Sequence, residues 1–366
     1  SKNPKNKIMK NFKTLLTAFL FVAFSAKAQD IEDVKIKTKF YASKQIKKGP
    51  KKIYINSFNV NYEIYKEGVD FKAGGNGGRI GGNTSSAKAT AAVGLDGIDA
   101  NKMQAQVNKL YENYVNRLKS EGYTIVTVDE AGKTEAYANW VKATGPYVVE
   151  PYTGVISTAP KGYSFYYRGV KKNGKLKKSI FGDGLVKQKL SKELNNTVIA
   201  DVNLYVMFSE DGSDLFKGRA AKVKIKTNLR LANNYSISIP KKLKKKKSTI
   251  GKLFGSVQIK GAIDVYPAVS SITFSNKLGG NFIGNLKDDV EINGVLKKQK
   301  VVAYQKQGSF VPTSFSTFSN YLDAKADRFS NKTKWIKVDG DKYAEGFYNV
   351  CNTFITKQLD AFFNKL

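Results

Sequence analysis

The stretch from Gly77 to Thr84, GGRIGGNT, has glycines and a threonine at the spacing of a phosphate-binding loop. In the pattern G-x-x-x-x-G-K-[ST], backbone N–H groups surround the phosphates and the lysine reaches their outer oxygens, while a strand and a helix flank the loop directly. Here Asn83 stands where the lysine is required. The segment therefore lacks the side chain that would pair with the terminal phosphates.

The flanking residues also argue against a nucleotide site. A strand pattern runs from Lys51 to Tyr65 and ends well before the glycines, the residues after Thr84 alternate instead of turning helical, and helical spacing begins only after Asp99. Glycine can adopt backbone angles that other residues avoid. We therefore predict a flexible connection that moves, pairs or inserts, with Arg79 as its charged side chain. Its glycines are Gly74, Gly75, Gly77, Gly78, Gly81 and Gly82.

Two acidic clusters have residue types that could bind calcium. Asp211, Ser213 and Asp214 surround a glycine, and Asp339 and Asp341 surround another. Calcium needs six to eight oxygens at loop spacing, and neither cluster supplies them. A turn and a helix N-cap explain these residues instead, so we predict no metal site and no cofactor.

Nucleophilic and acid–base catalysis has few candidate residues. The chain contains no histidine, which removes the usual general base and the commonest metal ligand. Asp288, Asp289 and Glu291 could supply the carboxylate pair of a glycoside hydrolase, but their spacing does not set the separation that this chemistry needs. The single cysteine, Cys351, lies on an apolar helical stripe, so we expect a buried, inert thiol. A non-catalytic protein is favoured, and an enzyme stays open.

Two segments could form interaction surfaces. Tyr163, Phe165 and Tyr167, followed by Arg168, could stack on sugars or contact a protein, although half of such a run normally faces the core of a β-rich protein. The segment PKKLKKKKS is expected to be an exposed connection instead of a regular element, because closely packed like charges resist burial. Its lysines are Lys241, Lys242, Lys244, Lys245, Lys246 and Lys247.

The net charge predicts anionic partners. The whole chain carries +32, and six lysines without acids precede residue 29, which leaves 32 − 6 = +26 afterwards. This charge attracts anionic lipid, lipopolysaccharide or wall polymer, and in an exported protein these are more plausible partners than nucleic acid. In KVKIKTNLRL the lysines alternate with apolar residues, so a solvated sheet face explains them as well as a functional basic surface does.

The beginning of the chain predicts export. After residues 1–8, which we treat as an extension, residues 9–28 have the basic start, apolar run and small residues of a signal peptide, with cleavage between Ala28 and Gln29. We expect the protein in the periplasm, at the periphery of the outer membrane, or outside the cell. Its oligomeric state stays open.

The elements predict an α+β protein. Apolar residues at spacings of three and four predict one helix near residues 99–121, capped by Asp99 and ended by Gly122, and a C-terminal helix near residues 342–366. A strand is expected at residues 123–128 and a shorter helix at residues 135–142. In the strand from Lys51 to Tyr65 the parity of the apolar residues changes near Ser57, which indicates a bulge or bend.

The middle of the chain is predicted to be rich in strands. Two long strands flank residues 210–214, and others are expected at residues 162–170, 255–267, 270–275 and 299–305. We divide the mature chain into an α/β unit, residues 29–145, and a β-rich region closed by the last helix, residues 146–366. The two could also be one continuous domain.

The order of elements from Lys51 to Val128 resembles the opening unit of the curli-secretion lipoprotein family and the related amino-terminal domain of TolB. The residues that carry it are the strand, the glycine-rich excursion, the amphipathic helix and then LKSEGYTIVTVDEA. The resemblance implies an exported α/β domain with a helix packed on a sheet and ended by a glycine. The lipobox cysteine of that family is absent, so the resemblance does not carry over a lipid anchor or a secretion pore.

Three functions remain as hypotheses. The favoured one is a non-catalytic envelope protein that binds or assembles through a β-rich surface and basic loops. The second is an oligomer that inserts β-hairpins into the outer membrane, with residues 70–98 as one hairpin. The third is a histidine-free hydrolase of wall or glycan polymer that uses two converging carboxylates.

Overall fold

The computed structural model has the α+β architecture that the sequence predicts. It describes residues 33–72, 87–168, 182–211, 221–240, 245–246, 258–259, 263–305 and 333–366. In chain order the strands are β1 (Ile36–Tyr41), β2 (Lys52–Glu63), β3 (Tyr65–Lys72), β4 (Ala87–Asp96), β5 (Thr124–Ile125), β6 (Trp140–Thr144), β7 (Tyr147–Tyr152), β8 (Val155–Ala159), β9 (Ser164–Arg168), β10 (Val198–Asp211), β11 (Ala221–Leu231), β12 (Tyr235–Pro240), β13 (Lys245–Lys246), β14 (Gln258–Ile259), β15 (Ile263–Ala268), β16 (Ser271–Ser275), β17 (Asn281–Leu286), β18 (Val290–Glu291), β19 (Lys300–Gln305) and β20 (Lys334–Lys337). The helices are α1 (Ser43–Lys47), α2 (Ala100–Ser120), α3 (Val128–Gly132), α4 (Gly182–Glu193) and α5 (Gly340–Phe363), with a 3₁₀ turn at Glu135–Tyr137.

A mixed sheet organises the fold in the order β1-β17-β16-β10-β2-β8-β7. Its two innermost strands, β2 and β10, are parallel, and most of their neighbours are antiparallel. The register of β2 against β10 shifts by one residue at Asn56, because Ala200 pairs with Ile55 whereas Asp201 pairs with Ser57. The predicted bulge is therefore confirmed, and it turns Asn56 and Ser57 towards Asp201.

Two long helices cover the apolar face of this sheet. The side chain of Asp99 accepts hydrogen bonds from the backbone N–H groups of Asn101 and Lys102 at the start of α2, as predicted. Asp339 caps α5 in the same way. The two helices contact each other, and Phe362 of α5 stacks on the Phe274 ring of β16 at 4.1 Å between centroids. This face holds the main apolar core.

Two local expectations were wrong. The strand expected at residues 123–128 is only Thr124–Ile125, because Thr127 accepts a hydrogen bond from the N–H of Glu130 and starts α3. The helix expected at residues 135–142 is a single 3₁₀ turn followed by β6. Asn139 has φ of 67°, a left-handed conformation that asparagine tolerates, and the chain enters the strand there.

The strand that we expected to end at Tyr65 continues. After a bend at Ile64, β3 runs to Lys72 and pairs antiparallel with β4. One argument against a phosphate loop, the distance from the strand to the glycines, is therefore wrong. The conclusion rests on another fact, since the chain on the far side of the glycines is a paired strand and not a helix. The glycines themselves lie outside the described residues.

The two strands predicted around residues 210–214 are present as β10 and β11, which pair antiparallel. β19 pairs with the other edge of β11, and the β3–β4 hairpin packs against β11 and β19. A second ribbon, β12 with β15, covers the end of the central sheet around Met207. β13 and β14, which lie between β12 and β15 in the sequence, pair with each other.

Residues Ile31–Leu366 form one compact unit. β2 belongs to the region 29–145, and both its main partners, β8 and β10, belong to the region 146–366. The two regions that we separated in the sequence therefore share one sheet.

Candidate interaction surfaces

The alternating lysines of β11 lie on the outer face of the sheet that this strand forms with β19. Val223 and Ile225 are 8% and 1% exposed and pack inward, whereas Lys226 is exposed and Lys222 and Lys224 are half-buried. The register of β19 adds exposed Lys300 directly across from Lys226, and Val302, 46% exposed, across from Lys224. We call Lys222, Lys224, Lys226 and Lys300 the basic face. Period-two alternation places all four on one side of the sheet.

The aromatic run forms a two-stranded ribbon, β6 with β9, apart from the central sheet. Tyr163 lies in the core at 3% exposed and donates a hydrogen bond to the carbonyl oxygen of Ile55 at 3.1 Å. Phe165 stacks on Tyr163 at 5.7 Å between ring centroids and is half-buried, and Tyr167 follows it at 6.3 Å. Tyr163, the first residue of the run, therefore lies in the core, and Phe165 and Tyr167 lie half-buried on the ribbon.

The other side of this ribbon is partly covered. Tyr166 stacks on Tyr137 at 4.6 Å between centroids, and the Arg168 guanidinium lies 5.5 Å from the centroid of Trp140. Lys142, beside Tyr166, forms an ion pair with Asp129 of α3 at 2.6 Å. Arg168 therefore contacts the ribbon's own indole ring.

The lysine run is in part a regular element, contrary to our expectation. Lys245 and Lys246 form β13 and pair with Ile259 and Gln258, since neighbouring strand backbones supply hydrogen bonds regardless of side-chain charge. Lys241, Lys242, Lys244 and Lys247 lie outside the described residues, as do the signal segment with Ala28 and Gln29, the turn residues Ser213 and Asp214, and the loop residues Gly74, Gly75, Gly77, Gly78, Arg79, Gly81 and Gly82.

Two of the three carboxylates proposed for hydrolysis, Asp289 and Glu291, have structural partners. Asp289 accepts hydrogen bonds from Arg230 Nε at 2.7 Å and from the N–H of Asn233 at 2.6 Å. Glu291 and Glu210 each accept a hydrogen bond from Asn228 Nδ2 at 2.9 Å, so they flank one amide group.

Glu291 does not suit the role of proton donor in hydrolysis. The hydrogen bond from the Lys298 ammonium to Glu291 holds the pKa of that carboxyl below its ordinary value, and the amide of Asn228 acts in the same direction. A hydrolase needs one carboxyl that stays protonated near neutral pH. Glu291 therefore fits an ion pair better than a general acid.

The remaining metal and thiol candidates have structural roles. Asp339 is the N-cap of α5, and Asp341 pairs with Lys102 at 2.5 Å. In the part of the chain that the structure describes, no three Cys, Asp or Glu side chains group as a metal site would require. Cys351 is fully buried on α5, and burial raises the pKa of its thiol well above the ordinary value. Such a thiol is unreactive at neutral pH.

A surface cavity of about 880 Å³ lies between α3, the 3₁₀ turn and α4. Lys189 crosses it and pairs with Glu135 at 2.9 Å and with Glu193 at 3.6 Å. These pairs leave the cavity with mixed charge, and the hydrogen bond from the Lys189 ammonium lowers the pKa of Glu135.

A buried charged network was not predicted. Glu63, 1% exposed, accepts hydrogen bonds from the N–H groups of Phe208 and Ser209 and from the Ser209 hydroxyl. Lys66 and Arg230, 3% and 2% exposed, lie close enough to favour its ionised form. The network joins β2, β3, β10 and β11. Glu63 and Lys66 are close in the sequence, but Arg230 is distant from both, so no local pattern marks the network.

A second unpredicted feature crosses the other face of the central sheet, opposite α2 and α5. Five polar side chains are direct register partners on five adjacent strands, and we call them the polar row. They are Asn59, Asn203, Ser271, Asn285 and Lys37. Asparagine is uncommon in strands, so Asn59 and Asn61 within an alternating segment were the available signal.

Within the described residues no helix is both long enough and apolar enough to cross a membrane. Comparisons with protein-family models, with curated proteins and with solved structures found no match.

Proposed function

We propose that this chain is an exported, non-catalytic protein of the bacterial envelope that binds anionic envelope material through the basic face. The observation that carries the proposal is the side-chain alternation of β11, which buries Val223 and Ile225 and turns Lys222, Lys224 and Lys226 outward. The whole molecule also has a positive electrostatic potential, because basic residues outnumber acidic ones by 62 to 30. Such a field raises the local concentration of polyanions.

The arrangement suits a flat or extended anion better than a small one. Successive lysines on one face of a strand are roughly 7 Å apart, and the neighbouring strand lies about 4.8 Å away. Exposed Val302 lies among these lysines and can contact acyl chains at a lipid surface. No enclosed pocket is needed for this kind of binding, and charge attraction supplies its free energy.

The test is sedimentation of the mature protein with vesicles. Vesicles of phosphatidylcholine, of phosphatidylcholine with phosphatidylglycerol, and of phosphatidylcholine with lipopolysaccharide separate charge from lipid type. Each lysine near an anionic surface contributes about 1 kcal/mol, so the triple variant Lys222→Gln, Lys224→Gln, Lys226→Gln should bind the anionic vesicles roughly a hundredfold more weakly. Binding should also weaken between 0.1 and 1 M salt, where the Debye length falls from about 10 to about 3 Å.

The matched control removes three exposed lysines elsewhere, by Lys44→Gln, Lys47→Gln and Lys48→Gln at α1. It makes the same change in net charge and should retain most of the binding. Equal losses in both variants, or binding that salt does not affect, would contradict the proposal.

A second candidate function is an oligomer that inserts β-hairpins into the outer membrane. The observation that favours it is that three strand ends lie together. The Asp70 carboxylate accepts a hydrogen bond from the N–H of Lys222 at 2.9 Å, which places the end of β3 beside the start of β11, and Ala221 pairs with Gln305 at the end of β19. The described strands that end or begin here are β3 at Lys72, β4 at Ala87, β11 at Ala221 and β19 at Gln305.

Electron microscopy of the detergent-extracted protein tests this candidate. Rings that form only in detergent or lipid, and that are lost when residues 73–86 are replaced by a two-residue Asn-Gly turn, would support it. A monomer on sizing columns that stays in the soluble fraction of cells would contradict it.

A further inference from the structure

We infer that the polar row is a binding site for a glycan chain that lies across the strands of the central sheet. This site is separate from the basic face, and it lies on strands β2, β10, β16, β17 and β1. The inference rests on register, on the state of the hydrogen-bonding atoms, and on what covers the rest of this sheet face.

The register makes the row continuous. Asn59 pairs with Asn203, Asn203 with Ser271, Ser271 with Asn285, and Asn285 with Lys37. Adjacent strands are about 4.8 Å apart, so the five side chains extend over roughly 19 Å. Direct register partners project from the same face of a sheet, which produces a straight line of polar groups.

The polar atoms of the row are only partly used. Asn59 Nδ2 donates to Asn203 Oδ1 at 3.1 Å, and this is the one hydrogen bond between row side chains in the described chain. The side chains of Asn59, Asn203, Ser271 and Asn285 are half-buried. Each amide has two donor hydrogens and two acceptor lone pairs, and each hydroxyl both donates and accepts. The row therefore offers both kinds of group to a ligand.

A neighbouring row of polar side chains on the same sheet face, centred on Asp201, has its hydrogen-bonding groups used within the protein. Asp201 accepts hydrogen bonds from Asn56, Ser57 and Thr273, and its ion pair with Lys187 of α4 completes the set. That row is closed by the protein's own side chains. The polar row is displaced from that row by two residues along each strand, and among the described residues no side chain of α4 hydrogen-bonds to it.

On β2, β8 and β10 this sheet face is covered on both sides of the row. At one end Val186, Leu190 and Leu194 pack on Tyr54 and Ile199. At the other end the β12–β15 ribbon packs on Met207 and Val155, with Tyr205 and Tyr266 at its border. On β2 and β10 the polar row lies between these two covers, and over β16, β17 and β1 it continues to the edge of the sheet. Asparagine disfavours strands, so its presence there needs a reason other than strand formation.

The chemistry of the row matches a sugar chain better than a protein. Four of its five side chains are uncharged groups that both donate and accept, and sugar hydroxyls do the same. A protein partner would need a central aromatic or aliphatic anchor, and the row has none. Tyr205, half-buried at its border, can contact the apolar face of a sugar ring.

The experiment is calorimetric titration of the mature protein, Gln29–Leu366, with four hexasaccharides. The probes are β-1,4-linked glucose, α-1,4-linked glucose, β-1,4-linked N-acetylglucosamine and α-1,4-linked galacturonate. At least one should bind, and the variant Asn59→Ala, Asn203→Ala should lower its association constant tenfold or more. Because both partners of one hydrogen bond are removed together, no buried group is left unsatisfied.

The matched control is Thr144→Ala, Ser164→Ala, which removes another cross-strand pair, 2.8 Å apart, from the β6–β9 ribbon. It should bind like the wild type. If the asparagine variant unfolds at a lower temperature, Ser271→Ala provides a milder change and should still weaken binding. The basic-face variant should retain sugar binding, which separates this site from the proposed anion site. Absence of binding to all four probes, or equal affinity in wild type and row variants, would overturn the inference.

Discussion

Glu63 is a carboxylate that the fold encloses between two cationic side chains. Lys66 and Arg230 favour its ionised form, and two backbone N–H groups donate to it. Burial still outweighs these contacts and raises the pKa of Glu63 above its ordinary value of 4.5. Buried charges of this kind rarely add stability, since desolvation cancels their attraction. The hydrogen bonds of Glu63 connect β2 to β10.

The variant Glu63→Gln should reveal this raised pKa as a pH dependence of stability. The folded state binds the Glu63 proton more tightly than the unfolded chain does. Protonation of Glu63 therefore raises the free energy of unfolding of the wild type as the pH falls through the raised pKa. The gain is complete below about 4.5, the ordinary value. The difference in free energy of unfolding between wild type and Glu63→Gln should therefore shift in favour of the wild type from pH 7 to pH 4.5.

Urea denaturation at several pH values measures this difference. The control is Glu112→Gln, an exposed position on α2 outside the Glu63 network, measured at the same pH values. A Glu63→Gln difference that varies with pH no more than the control does would mean that burial does not raise the pKa of Glu63.

At the scale of elements, the sequence predicted what local periodicity encodes. α2 and α5 were found with their caps because their apolar stripes and their Asp residues are adjacent in sequence. α4 had a usable signal, since Val186, Leu190 and Leu194 are four residues apart and buried. The sequence signal for β17 was weak, because its sequence NFIGNL combines a glycine and two asparagines with apolar residues. It becomes a strand through its pairing with β1 and β16, which is a tertiary effect.

The N-cap of α5 can be tested by comparing two neighbouring aspartates. Asp339→Ala removes the side chain that accepts hydrogen bonds from two backbone N–H groups, so it should lower the free energy of unfolding by about 1 kcal/mol. Asp341→Ala removes an exposed ion pair with Lys102, which typically contributes less than about 1 kcal/mol. Thermal denaturation with and without calcium measures both effects. A melting temperature that rises with calcium in the wild type and not in Asp339→Ala would show a metal site instead of a cap.

At the scale of the whole molecule, the sheet joins regions that the sequence made look separate. β2 forms its main contacts with β10, although residues that hydrogen-bond between the two strands, such as Asn56 and Asp201, are 145 positions apart. No local pattern encodes such a pairing, which explains why the polar row and the Glu63 network were not predicted. Both depend on the register of strands that are distant in sequence.

A fragment covering residues 29–145 should therefore fail to fold. It contains β2 and the short β5 but lacks β8 and β10, so most of both edges of its longest strand would be exposed. Circular dichroism and hydrogen exchange of the isolated fragment should show little protected structure, and adding residues 146–366 as a second chain should restore protection. A fragment with a cooperative thermal transition of its own would show that the first region is an independent domain.

The parallel pairing of β2 with β10 also determines the order in which the molecule can fold. During synthesis β2 is made long before Val198, the first residue of β10, so its inner edge has no partner while the intervening segments accumulate. Closing so long a loop is slow, and an unpaired apolar strand is prone to aggregate in the meantime. Aggregation is therefore most expected between the synthesis of β2 and that of β10, and a chaperone that holds β2 would act at this stage.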